Sequence, residues 1–147
     1  MNNKTDNREI ELNDIKFIKQ PGIQYRFDYY EAYDRIHKAR KDKDLKKELQ
    51  IIRYLLLNDL FFWVYFAMGV RGSARANHPY IVNCCKEVEE GPKTRTLDLW
   101  FREGFKSTII TKCETMQAVL RNPEERVSIF SYTKEAARAI LRVIKDT

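Results

Sequence analysis

The stretch from Thr94 to Lys112, TRTLDLWFREGFKSTIITK, constrains the fold more than any other part of the chain. The run Leu97-Asp98-Leu99-Trp100-Phe101 reads as a strand. It passes through Arg102-Glu103-Gly104-Phe105 into Lys106-Ser107-Thr108, where an apolar helical pattern begins and runs to about Arg121. A turn at Asn122-Pro123, a second strand over Val127–Ser131 and a helix over Lys134–Lys145 complete a β-α-β-α order. That order is the unit of a parallel sheet with crossover helices. Two parallel strands cannot cover both faces or protect their edges alone. The expected fold class is therefore α/β: a helical amino-terminal section followed by the start of a parallel sheet, an incomplete domain.

Three regions are expected. Residues 1–24 are polar and broken by Pro21-Gly22, which suggests a loosely docked arm. Residues 25–92 form the helical section, and residues 93–147 the beginning of the sheet domain. Within the helical section, Leu45, Leu49, Ile52, Leu56, Leu60, Trp63 and Ala67 recur at spacings of three and four, the signature of one helix face. Further apolar residues flank this stripe after Tyr54, so its carboxy-terminal half should be buried on most sides. Gly69 and Gly72 would end it, with Arg71 and Arg75 in the loop. His78-Pro79 starts a helix through about Glu90, which Gly91-Pro92 closes.

The run Tyr54–Val70 has the look of a membrane span, but it carries Asn58 and Asp59 and falls short of about 20 apolar residues. A buried helix is the better reading, with no membrane partner. The amino terminus shows no apolar signal region. Cys84, Cys85 and Cys113 match neither a disulfide framework nor a zinc spacing. They read as small buried hydrophobes. His37 and His78 lack ligand spacing to any cysteine or to each other, so no protein-bound metal cluster is expected.

The 27 Lys+Arg against 21 Asp+Glu give a net charge of +6, and the excess is concentrated. Between Asp34 and Arg53 lie eight basic residues (Arg35, Lys38, Arg40, Lys41, Lys43, Lys46, Lys47, Arg53) against four acids. This suits a phosphate-rich partner without choosing between nucleotide and nucleic acid. Tyr25, Tyr29, Tyr30 and Tyr33, interleaved with Arg26 and Arg35, are either a stacking surface for bases or a helix face packed on its neighbour. Glu89-Glu90 and Glu124-Glu125 sit beside breaks and read as exposed loop charges.

A phosphate loop needs converging backbone N–H groups, a cation and a hydroxyl for the metal. Lys106-Ser107 stands where such a loop places its GK[ST] end, directly after a strand and at a helix start. In GxxxxGK[ST] the first glycine position is Trp100 here and the second is Phe105, so only Gly104 remains to relax the backbone. A solvated strand-turn-helix accounts for the same residues. Against it, a lysine at a helix amino terminus opposes the helix dipole, and Arg102 adds a second cation that Glu103 alone cannot balance.

Residues from about 54 to 147 resemble the ATPase domain of the large terminase subunit of tailed bacteriophages. The likeness rests on HPYIVNCCKEVEE, LDLWFREGFKSTIIT and VSIFSYTKEAARAILRVIK. The resemblance makes the expected sheet a P-loop-type parallel sheet, the start of an incomplete ATPase domain. That family carries a deviant phosphate loop, R-x-x-x-K-[ST] in its loosest form, and Arg102, Lys106 and Ser107 fall on it. The resemblance implies that Lys106 pairs with the β- and γ-phosphates of ATP, and that Ser107 holds Mg²⁺ through its hydroxyl. Glu103, Gly104, Phe105 and Thr108 would line the cradle, and Arg102 would stabilise the γ-phosphate in the transition state. Phe105 departs from the family's commoner glycine. Ser131-Tyr132-Thr133 matches an S-x-T coupling turn, although helix capping by Thr133 explains it equally.

The resemblance further implies a motor that packages double-stranded DNA into procapsids and, in the intact protein, cuts concatemeric DNA. It would work in the host cytoplasm with a portal protein and a small terminase subunit, as an oligomer on the portal. Acidic residues that bind Mg²⁺ and activate water belong to later strands of that family. Nucleotide binding without turnover is therefore expected of these residues alone. The competing expectation is a non-enzymatic basic helical module that binds nucleic acid or a protein partner.

Overall fold

The computed structural model describes residues 8–12, 15–68, 76–91 and 104–145. These residues are mostly helical, with one small antiparallel sheet. The chain divides into two compact units, residues 1–91 and 92–147.

The first unit begins with β1 (Glu9–Leu12) paired to β2 (Ile15–Ile18), with Ile10 opposite Phe17 and Leu12 opposite Ile15. Alternation along β1 turns Ile10 and Leu12 inward while Glu9 and Glu11 face water. The segment expected to be a polar arm thus contributes Ile10, Leu12 and Phe17 to the core. Its polar residues are the outward half of an alternating pattern, too short to stand out against its flanks.

Helix α1 (Tyr29–Lys41) starts at Asp28, whose carboxylate accepts from the Tyr30 and Glu31 N–H groups at 3.0 and 3.2 Å. It ends in a Schellman closure. Asp44 N–H donates to Ala39 C=O at 2.9 Å, Lys43 N–H donates to Arg40 C=O at 3.0 Å, and Lys43 takes the left-handed position at φ 55°. Helix α2 (Leu45–Asn58) follows at once, capped by the Asp44 side chain on Lys47 N–H, and packs back along α1.

The helix expected to run unbroken to Ala67 breaks at Asp59. Asp59 is extended, caps α3 (Leu60–Phe62) by accepting from Phe61 N–H at 3.0 Å, and the chain turns by 111°. Asn and Asp side chains compete for backbone hydrogen bonds, which favours a cap over continuation. The Trp63 indole N–H donates to Leu56 C=O at 2.7 Å and ties the two sides of the bend together. A π-helical segment, Trp63–Ala67, continues α3. From Leu60 to Phe66 every residue is buried, as the flanking apolar residues implied. The other end of the stripe is not: Leu45 and Leu49 are exposed. The predicted glycine-rich turn at 69–75 lies outside the described residues.

Helix α4 (Pro79–Glu90) has Pro79 at its first position and His78 as cap, with His78 Nδ1 accepting from Tyr80 N–H at 3.2 Å. Gly91 ends it with an N–H bond to Glu87 C=O at 2.8 Å. A Cβ at Gly91 would stand 2.5 Å from that same oxygen, so this position excludes larger residues without a shift.

Phe17 is the centre of the first unit's core. Its ring meets those of Tyr25, Tyr29, Tyr30, Tyr65 and Phe66 at centroid distances between 5.2 and 6.0 Å. The tyrosine hydroxyls reach polar partners around the hairpin. Tyr65 donates to Lys16 C=O at 2.6 Å, Tyr30 to Arg8 C=O at 2.6 Å, and Tyr25 to Asn77 Oδ1 at 2.5 Å. Asn77 in turn donates to Ile18 C=O at 2.8 Å. Of the two readings of the tyrosine stripe, Tyr25, Tyr29 and Tyr30 take the packed one. Their ring faces are spent on Phe17 and its neighbours.

In the second unit the helix expected from Lys106 to Arg121 is present, as a π-helical segment Ser107–Glu114 running into α5 (Thr115–Arg121). It buries Ile109, Cys113, Met116 and Gln117. Asn122 ends it, and its side-chain oxygen accepts from Glu124 N–H at 3.2 Å. Residues 127–131, expected as a strand, are irregular and mostly exposed. The first expected strand, 95–101, lies outside the described residues. A sheet strand is held by its neighbours, and the only ladder among the described residues is β1–β2. Helix α6 (Lys134–Lys145) packs on the π-helical segment.

No single helix among the described residues is long and apolar enough to cross a membrane. Cys84, Cys85 and Cys113 are free thiols and buried. Burial pushes the Cys113 thiol up to about 12, which suppresses the reactive thiolate.

Candidate functional site

The turn Gly104–Thr108 is where the sequence concentrates its chemistry. Gly104 is buried and Phe105 half-buried, while Lys106 and Ser107 are exposed and Thr108 is half-buried. Lys106 occupies the cap position and Ser107 is the first residue of the π-helical segment. Ile109 N–H donates to Phe105 C=O at 2.8 Å and closes the first turn behind them. At any helix start the leading N–H groups lack an acceptor one turn back, so Ser107 and Thr108 present amide donors beside the lysine.

Phe105 has φ 60°, a left-handed backbone. A non-glycine residue there costs about 1–2 kcal/mol. Among the described residues only Lys43 shares this property, and Lys43 has an ordinary reason, the Schellman closure of α1. Phe105 does not end a helix but precedes one. The sequence flagged Phe105 as the residue standing where a phosphate loop has glycine. The structure gives that position the conformation glycine adopts most readily. Comparing Phe105→Gly with Phe105→Ala isolates this effect, since both remove the ring. The glycine variant is expected to be the more stable by about 1 kcal/mol in urea unfolding, reversing the usual order. An alanine variant at least as stable would contradict a left-handed Phe105.

The remaining site residues fall out unevenly. Arg102 and Glu103 lie outside the described residues. Thr133 caps α6, with Ala136 N–H donating to its Oγ1 at 3.2 Å, so capping accounts for it fully. Ser131 is exposed in the irregular segment before α6. An open groove of about 470 Å³ separates this segment from the helix, lined by Ile110, Glu114, Ala118, Val127 and Phe130 among others. None of Gly104–Thr108 lines that groove, so groove and turn are separate features.

For Mg²⁺ the fit is partial. The Ser107 hydroxyl at the helix start can supply one oxygen ligand. No group of three or more His, Cys, Asp or Glu residues is gathered among the described residues. Mg²⁺ commonly keeps several waters and takes its other ligands from substrate phosphates, so a single protein hydroxyl is compatible with a metal delivered on a nucleotide. π-Helical winding is no mark of the site by itself, because Trp63–Ala67 has it in the core of the other unit.

One ionisable group escaped the sequence reading. In the sequence Asp59 reads only as a polar break in an apolar run, yet it is a buried carboxylate 1% exposed. It accepts from the Tyr29 hydroxyl and from Phe61 N–H. Burial, with Glu89 nearby, pushes its pKa up to about 6 against the lowering effect of the Tyr29 bond. An aspartate at the head of seven consecutive core residues was the available signal.

Comparison with protein-family models, with curated proteins and with solved structures found no match to this chain.

Proposed function

We propose that Gly104–Thr108 is the phosphate-binding turn of a nucleotide site, and that the chain is the amino-terminal part of a DNA-packaging ATPase of the large terminase type. The observation that carries this is the left-handed backbone of Phe105 immediately before Lys106-Ser107 at a helix start. Strain of this kind gathers at ligand sites, where the surrounding structure holds it in place.

In this reading Lys106 takes the β- and γ-phosphates of ATP and Ser107 the Mg²⁺ that accompanies them. The Ser107 and Thr108 amides complete the cradle, and Arg102 stands over the γ-phosphate. Residues 95–101 would be the first strand of a P-loop-type parallel sheet. Turnover is assigned to acidic groups of the intact motor, not to this segment. Double-stranded DNA, a portal protein and a small terminase subunit are the partners this function entails, in a host cytoplasm.

The test is equilibrium binding of Mg-ATP to the wild-type chain and to Lys106→Ala, with circular dichroism as the fold control. Charge-assisted bonds of this type contribute about 1.5–3 kcal/mol, so affinity should fall by roughly ten- to a hundredfold. Equal binding by both proteins, or none by either, overturns the proposal.

A second reading has its own observation. Lys38, Lys41, Lys43, Lys46 and Lys47 are exposed around the α1–α2 turn, while Asp44 caps α2 and Glu31 and Glu48 pair with Arg35 and Arg40. A non-enzymatic basic module would use these lysines on nucleic acid or on a protein, and Lys106→Ala would leave that binding intact.

A further inference from the structure

Helix α2 carries an apolar seam whose first half the first unit leaves in water. Leu45, Leu49, Ile52 and Leu56 follow a 4-3-4 spacing, that of alternating a and d positions in a coiled coil. Leu55, on the flank of this stripe beside Leu56, is the residue of α2 buried in the core. The seam runs along the edge of the helical hairpin, and its first two residues are 65% and 55% exposed. Ile52 and Leu56 are half-buried and continue it toward the bend.

The charges beside the seam select its partner. Lys46 and Arg53 occupy the two positions that follow a d residue, and both are exposed. Glu48, the carboxylate on the other flank, is already tied to Arg40 at 2.5 Å and its side chain is only 13% exposed. Asp44 is engaged as the cap of α2. The seam is therefore apolar along its centre and cationic at its open margin.

We infer that this face of α2 docks an acidic amphipathic helix of another protein, with aliphatic residues at heptad spacing and Glu or Asp beside them. A second copy of this helix fits poorly, since it would oppose Lys46 and Arg53 with like charges while its own Glu48 and Asp44 are engaged. Nucleic acid would match the cations but leaves two adjacent exposed leucines without an apolar complement. An anionic membrane surface calls for a wider apolar face than this seam offers. The inference rests on the second reading above, whose partner class it chooses, and is independent of the nucleotide site.

The experiment is a display selection of helical peptides on the immobilised full chain. The library fixes leucine or isoleucine at heptad a and d positions and varies the flanking positions among Glu, Lys, Ser and Gln. Winning peptides are expected to be net acidic and to lose at least tenfold in affinity against Leu45→Ser/Leu49→Ser. Lys46→Glu/Arg53→Glu should shift the winners toward lysine-flanked peptides. No enriched peptide, or winners indifferent to the leucine pair, overturns the inference. So does leucine-dependent binding of duplex DNA or of phosphatidylserine vesicles in place of peptide. Duplex DNA bound through the hairpin lysines with no peptide selected leaves the basic-module reading standing without this inference. Neither DNA nor peptide bound removes both.

Discussion

Phe17→Ala is expected to destabilise the first unit by about 3–5 kcal/mol, the usual loss for emptying a buried phenylalanine site. The magnitude follows from position. Phe17 is 1% exposed and lies against five other rings. It is also the main side chain by which β2 is anchored. A two-stranded hairpin is marginal in water without a surface to pack on, so losing the ring releases Ile10 and Leu12 as well. The bonds from Tyr30 and Tyr65 to the hairpin backbone would go with them. Domains of this size have about 5–15 kcal/mol in total, so the variant should be near its unfolding threshold at room temperature. Urea unfolding followed by near-ultraviolet circular dichroism measures the loss. A change below about 1 kcal/mol would show that the hairpin is not docked as described. Leu45→Ser is the matched control, a larger chemical change at an exposed site, and should move stability little.

The second large effect concerns pH. The Asp59 carboxyl titrates at about 6 in the folded chain against an ordinary value of 3.8. Between those values the folded state holds a proton that the unfolded state has released. Stability attributable to Asp59 is therefore highest at and below pH 4 and falls as pH rises through 6. The two-unit difference corresponds to about 3 kcal/mol. Burial is the dominant cause, and the facing groups are named by the geometry. Tyr29 donates from α1, Phe61 N–H donates from α3, and Glu89 of α4 adds a like charge while paired with Arg26 at 2.9 Å. Burial also pushes the Tyr29 phenol well up, so that it stays a donor throughout this range.

Asp59→Asn keeps an oxygen for the Phe61 cap and removes the ionisation. The stability of the Asp59→Asn variant relative to wild type should rise by about 3 kcal/mol between pH 4 and pH 7, read as diverging urea midpoints. Parallel midpoints across that range would mean that Asp59 is solvated. Asp59→Ala removes the cap and leaves Tyr29 without its acceptor, and should destabilise at every pH by about 1–3 kcal/mol.

Local chemistry was legible where a few neighbouring residues settle the matter. Pro79 after His78, Gly91 at the far end, the Asn122 turn and the Thr133 cap each use a side chain and backbone within three or four positions. The helix opening at Lys106-Ser107 belongs with them. Burial of Leu60–Phe66 was readable because an apolar run dense on all sides has no solvent face to offer.

Other features depended on partners distant in sequence. Ile10, Leu12 and Phe17 look like scattered apolar residues in a polar segment until Tyr25, Tyr29, Tyr30 and Tyr65 enclose them. The tyrosine stripe was ambiguous between stacking surface and core for the same reason. Leu45 and Leu49 share their spacing with Leu60 and Trp63, yet the bend at Asp59 separates a buried end from an exposed one. The strand pattern at 127–131 names residues able to pair, but pairing requires a neighbour.

The sequence by itself determined the helix from Pro79 to Glu90 with its ends, the Thr133 cap and the turn that brings Lys106 and Ser107 to a helix start, because those are fixed by short-range hydrogen bonds and sterics. Only the tertiary structure decided which apolar residues make the core, that Asp59 is a buried acid, and that α2 keeps a leucine seam in water. Burial and pKa depend on what long-range packing removes from solvent, and no local pattern contains that information.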